Sequence, residues 1–352
     1  MKNIRNLNLN DKKVAIDGVV NGYSPRITSH KASHAHYYAS KLKYLGVKDV
    51  TVISKKENIH DYDVWLIVLP AEFQGSFNVF GGATDDLAKH LSRLIDFKGK
   101  IYIADQEMPN LGEWINGRKS SCSDDFMKLD HDLFSKYCED VEPISFHLDS
   151  KGMVLGDSHS ISVYRPGYDM CRNDGKTLSG ALKKGGLKSF IEDPITGHNI
   201  EHLICYWMNI DIRHHLFRKG KDLATHYKKL LFNYEEQLKS LNIKNISIVE
   251  PLWIEHESRK LPKTGYFLDT PFFGSMDQRK SIVDITINQF RAMCKRNGWE
   301  SIDWPKNMLN EDGLLDFKYM EKPKSVHLSR EYYHFDFSTN EKNNKFFNSF
   351  QN

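Results

Sequence analysis

The chain has 352 residues, 40% of them hydrophobic and 12% aromatic, more than one hydrophobic core usually serves, so two soluble globular domains are expected. Its 49 basic and 46 acidic residues leave a net charge of +3 and are mixed along the sequence, which is not the strong basic bias of many nucleic-acid binders. No apolar run approaches the roughly 20 residues of a membrane helix, and the opening MKNIRNLNLNDKK lacks the apolar centre of a signal peptide. A cytoplasmic protein with no membrane partner is expected. The five cysteines, Cys122, Cys138, Cys171, Cys205 and Cys294, are odd in number and form no Cys-x-x-Cys pair, which argues for free thiols.

From the N-terminus, KVAIDGVV from Lys13 to Val20 reads as a strand. Ser29 is a plausible cap for a helix to Leu45, which Gly46 ends. DVTVIS from Asp49 to Ser54, VWLIVL from Val64 to Leu69 and KIYIA from Lys100 to Ala104 read as further strands, with a helix from Asp85 to Phe97. This alternation predicts a parallel sheet covered on both faces, a Rossmann-like or flavodoxin-like domain over residues 1–119. Residues 120–150 are polar with one short helical pattern and read as a bridge. The alternation then restarts: Met153–Leu155 enters the turn GDSH, HLICYW from His202 to Trp207 is a strand, and Asp222–Leu241 a helix. Ile246–Val249, the long helix Arg279–Asn297 and Ile302–Trp304 complete a second α/β domain over residues 151–333. Residues 334–352 show no periodicity and read as a surface tail.

The turn Gly156-Asp157-Ser158-His159 follows a buried strand. A serine hydroxyl is a weak nucleophile until a base takes its proton, and the oxyanion then formed needs aimed hydrogen-bond donors. A serine at the carboxyl end of a strand, opening a helix, has its own N–H available for that task. GDSH at Gly156–His159 resembles the first motif block of SGNH/GDSL hydrolases, and YWMNIDIRHHL at Tyr206–Leu216 resembles the segment after the third strand in a subgroup of that family. Pro271-Phe272-Phe273-Gly274 with Arg279, then Asn288 and Cys294, Asp312-Gly313 and Val326-His327-Leu328-Ser329 follow in that subgroup's order. The resemblance covers about Lys151–Tyr333 and implies a three-layer α/β/α domain with no cofactor. It implies Ser158 as nucleophile, His327 as its base, and an oxyanion hole from the Ser158 N–H, the Gly180 N–H (Gly186 being the second choice) and Asn209, with Asp157 capping the turn. His159, Asp211, Arg213 and Arg279 are the expected substrate-binding residues. The implied activity is an esterase or acyltransferase acting on an acylated carbohydrate or small ester.

Three positions depart from the family pattern. Lys324 stands three residues before His327, where the family carries an aspartate, which leaves a Ser–His dyad, a third member such as a backbone carbonyl or Asp316, or a site diverged from hydrolysis. Met208 stands where the third block has glycine, and Asn209 where the subgroup has glutamate. Asp211 and Arg213 can equally form a structural ion pair, and GDSH can equally be an ordinary loop. His30 and His34 in SHKASHAH have helical spacing that suits zinc, but no third ligand presents itself and a polar face beside a ligand cleft is the preferred reading, so no metal is expected. His60–Pro70, Phe77–Gly82 and Lys100–Trp114 are similar in order and spacing to the N-terminal domain of T-even phage β-glucosyltransferases, which act on modified DNA. That similarity implies an alternative function, a phage-type transferase or DNA-modification protein with DNA as partner; a non-catalytic binding module is the third possibility.

Overall fold

The computed structural model describes residues 2–18, 33–53, 58–68, 94, 96–104, 141–146, 148, 150–173, 175–183, 185–191, 199–256, 274–321, 325–329 and 332–333. They fall into two units divided after Leu148, each built on a wholly parallel sheet.

The first sheet contains β1 (Lys2–Asn3), β2 (Lys13–Gly18), β3 (Asp49–Val52), β4 (Val64–Val68), β5 (Lys100–Ala104) and β6 (Val141–Ser145), in the order β1-β6-β5-β4-β2-β3. Taken from β2 to β6 this is the doubly wound 2-1-3-4-5 order, with the short β1 added beside β6. Its centre reads as strand because Val14, Ala15, Ile16, Trp65, Leu66 and Ile67 are buried, as both faces of a covered parallel sheet require. The helix Ser33–Tyr44 ends in a Schellman arrangement. Gly46 takes φ +93°, its N–H donates to Lys43, and the Val47 N–H donates to Leu42.

The expected bridge over 120–150 is corrected at its end. Val141–Ser145 is a strand hydrogen-bonded between β5 and β1, so this part of the segment completes the first sheet. Residues 105–140, with the helical pattern of the bridge, lie outside the described residues. So do most of the expected helix 85–97, the Phe77–Gly82 stretch and the tail.

The second sheet contains β7 (Gly152–Asp157), β8 (Asp169–Asn173), β9 (His202–Tyr206), β10 (Asn245–Val249) and β11 (Glu300–Ile302), ordered β8-β7-β9-β10-β11. This too is 2-1-3-4-5, and it puts the switch point, where ligands bind in such folds, at the carboxyl ends of β7 and β9. One face of the sheet, with Met153, Leu155, Leu203, Cys205 and Ile248, packs on Leu230, Tyr234 and Leu238 of the helix Leu223–Ser240 and on Val283, Phe290 and Met293 of the helix Met276–Asn297. A Ser275–Gln278 capping box starts the latter and Gly298, at φ +68°, ends it. Cys171, Cys205 and Cys294 are buried, and no disulfide joins them to one another.

Gly156 is required by contact: a Cβ there would lie 2.2 Å from the Tyr206 carbonyl, on the neighbouring strand in register with it. At the other end of the sheet a polar chain crosses the strands. The Tyr168 hydroxyl lies 2.7 Å from His202 Nδ1, His202 Nε2 lies 2.8 Å from Ser247 Oγ, and Ser247 donates to Glu300. A carboxylate only accepts, so every hydrogen points towards Glu300 and His202 carries its proton on Nε2. No helix among the described residues is long and apolar enough to cross a membrane.

Candidate active site

β7 is buried along its whole length and delivers Asp157 and Ser158 to the switch point. Beyond it the chain makes a single 3-10 turn, Ser160–Val163. This corrects the expectation that Ser158 opens a helix, and no helix dipole is on hand for the oxyanion. His327 arrives from about 170 residues away: Ser158 Oγ lies 2.8 Å from His327 Nε2. Burial pushes the imidazole down to about 4, against the opposing effect of Glu321, so at neutral pH the ring has a lone pair to take the serine proton.

Asp316 is not the carboxylate beside His327: it caps its own 3-10 turn and pairs with Lys318 at 3.2 Å. Lys324 lies outside the described residues. The carboxylate that faces the imidazole is Glu321. Met320 and Leu328 form an antiparallel bridge and the Glu321 N–H donates to the His327 carbonyl, so the carboxylate and the imidazole are cross-strand neighbours. Glu321 Oε1 lies 3.7 Å from His327 Nδ1 and accepts from Ser325 Oγ at 2.7 Å. The sequence signal was an acid six residues before the base, a spacing that carries meaning only once the chain is known to double back.

Met208 also resolves one departure. It is one of two non-glycine residues with positive φ among the described residues, at +85°. The backbone keeps a conformation that glycine adopts freely, at a strain of about 1–3 kcal/mol, and the side chain is fully buried. Asn209 is thereby presented with its Oδ1 accepting from the Leu252 N–H at 3.0 Å. Its side chain is buried and reaches the Asp157 carboxylate, which it helps to hold ionised against burial.

The two glycines expected in the oxyanion hole need correction. The Gly180 N–H donates to Thr177 Oγ1 at 2.9 Å, capping the short helix Leu178–Ala181, and the Gly186 N–H donates to the Lys183 carbonyl. Neither is available to an oxyanion. The four expected substrate-binding residues are all buried, His159 at 4% exposure, Asp211 at 2%, Arg213 at 3% and Arg279 at 1%. Asp211 and Arg213 do not pair with each other. Asp211 accepts from the N–H groups of Leu178 and Ser179, and burial pushes it up to about 6. Arg213 Nε pairs with Glu255 at 2.9 Å. Asp157 caps the turn as expected: its Oδ1 accepts from the His159 N–H at 2.8 Å and lies 3.0 Å from His159 Nδ1. Burial raises Asp157 to about 6, and burial with the Arg213 charge holds His159 well below the usual histidine range. No group of three His, Cys, Asp or Glu side chains among the described residues is placed to hold a metal ion; His34 stands on the helix Ser33–Tyr44, and His30 lies outside the described residues.

No family model and no curated protein matches this chain. Among solved structures, a gut microbial diltiazem-metabolizing enzyme is similar at 16% sequence identity, with a TM-score of 0.34, over 51% of this chain and 43% of that one. The chain therefore spans less than half the length of that neighbour, and a likeness at this level carries no argument about activity.

Proposed function

We propose that the protein is a serine-dependent acyl-transfer enzyme, an esterase or acyltransferase of the SGNH type. The observation that supports it is the hydrogen-bonded pair of Ser158 Oγ and His327 Nε2 at 2.8 Å, with the Glu321 carboxylate on the far side of the imidazole. As Oγ attacks an ester carbonyl, His327 Nε2 takes its proton and Glu321 offsets the imidazolium charge. Asn209 Nδ2 donates to the developing oxyanion. The tetrahedral intermediate collapses, His327 returns the proton to the departing alkoxide, and the acyl group remains on Ser158. Water or an acceptor hydroxyl then attacks the acyl-serine, losing its proton to His327, and Oγ is reprotonated as it leaves. The substrate class, an O-acylated sugar or sugar-modified polymer, is carried from the resemblance of GDSH and the later motifs.

The test is intact-protein mass spectrometry after exposure to a fluorophosphonate. One adduct on the wild type, absent from Ser158→Ala and His327→Ala, is the expected result. No adduct on the wild type under conditions where an unrelated serine hydrolase reacts would overturn the reading and make the DNA-linked transferase the one to pursue.

A further inference from the structure

His159 directly follows the nucleophile, and its Nε2 lies 3.1 Å from the carbonyl of Val326, the residue before the base. The same nitrogen lies 3.2 Å from Arg213 Nη1, and Nδ1 lies 3.0 Å from Asp157 Oδ1. These contacts cannot all be hydrogen bonds at once. Arg213 only donates and a carbonyl only accepts, so Nε2 serves one or the other according to whether it carries a proton. With a single proton on the Asp157–His159 pair, Nδ1–H donates to the Asp157 carboxylate and Nε2 takes a hydrogen from Arg213. With a second proton on the pair, Nε2–H donates to Val326, and the other proton lies between Nδ1 and Asp157 Oδ1.

We propose that His159 is a positioning residue for the base, a latch that grips the Val326 carbonyl when the Asp157–His159 pair holds a second proton and lets go when that proton leaves. The inference rests on the reading of Ser158 and His327 as the reacting pair. The geometry favours a latch over a fixed strut because Val326 and Arg213 compete for the same nitrogen and Arg213 is anchored elsewhere. Arg213 is held by its buried ion pair with Glu255, whereas the pairing of Met320 with Leu328 begins beyond Val326. The His159 ring lies 4.8 Å from that of His327 and 6.0 Å from that of Tyr206. The charged and titratable groups facing the pair are Arg172 from β8, Tyr206 from β9, Asp211 and Arg213 from the segment after β9, Glu255 from the segment after β10, and His327 from the C-terminal segment. The arginines oppose the second proton and Glu255 favours it, while burial of Asp157, raised to about 6, sets the range of uptake.

The experiment measures the rate of fluorophosphonate addition to Ser158 against pH, for the wild type and His159→Gln, together with the imidazole nitrogen shifts of the wild type. The wild-type rate is expected to rise as His327 becomes neutral through about 4 and to fall roughly tenfold, the effect of a misplaced base, as the pair loses its proton near about 6. His159→Gln, whose amide donates without titrating, is expected to keep the first limb and lack the second. A wild-type rate that does not fall between about pH 5 and about pH 8 would overturn the latch, as would a second limb retained in His159→Gln. Should the wild type form no adduct at any pH, the acyl-transfer reading fails and the nitrogen shifts decide the latch alone. Conversion of His159 Nε2 from bare acceptor to protonated donor on acidification supports it; an Nε2 unchanged across the titration overturns it.

Discussion

The two units share the 2-1-3-4-5 strand order and differ in what they do with buried polar groups. In the first, Asp17 accepts from the Trp65 indole N–H at 2.9 Å, and Lys41, fully buried, donates to the Phe146 carbonyl and lies over the Tyr37 ring. Those groups hold elements together. In the second, buried polar groups gather at the carboxyl ends of β7 and β9: Asp157 beside His159, Asn209 within reach of the Asp157 and Tyr206 side chains, and Arg213 paired with Glu255. One scaffold thus yields an interior whose polar groups tie elements together in one unit and, in the other, a polar cluster at the strand ends beside the Ser158–His327 pair.

The comparison is most directly broken by removing the reacting pair. Ser158→Ala and His327→Ala should each lower ester turnover by roughly 10³-fold or more with little change in melting temperature; activity surviving in either would place the chemistry elsewhere. Asn209→Ala should lower kcat by about 10²–10³ with a smaller change in KM, as expected for a donor that meets charge in the transition state. Glu321→Gln should reduce turnover by roughly 10–10². Because Glu321 raises His327, its loss should also move the acid limb of the pH–rate profile below about 4, and a limb moved upward would contradict the assigned pair. The smallest effect sharpens the contrast: Asp17→Asn should lower the unfolding free energy by about 1–3 kcal/mol and leave the labelling rate of the folded protein unchanged.

Much of this arrangement was legible in the residues themselves. β2, β4, β7 and β9 announce themselves as buried apolar runs, and GDSH marks the switch point because Gly156 must admit a neighbouring carbonyl. β8, DMCRN, was not legible. It is buried throughout, yet it carries Asp169, Arg172 and Asn173, whose burial depends on partners far away in sequence. β6, VEPIS, hid behind a charge and a proline that has no N–H to donate. Gly180 fitted a motif, but its N–H had already been taken by the Thr177 hydroxyl three residues earlier. Glu321 was missed because its relation to His327 is cross-strand, and periodicity along the chain does not report pairing between segments that fold back on each other.

The one-way chain from Tyr168 through His202 and Ser247 to Glu300 acts on the second sheet as a rivet acts on a fan. It fastens the segment before β8 to β9, β10 and β11 at the end away from Ser158. Protonation of His202 would reverse the first link, Nδ1–H donating to the Tyr168 oxygen, and would place a charge on a half-buried ring. Burial lowers the His202 pKa, so the unfolded chain takes up that proton first and acid is expected to loosen the fan from its base as pH falls below about 6.5, with a fall in melting temperature that His202→Gln would blunt.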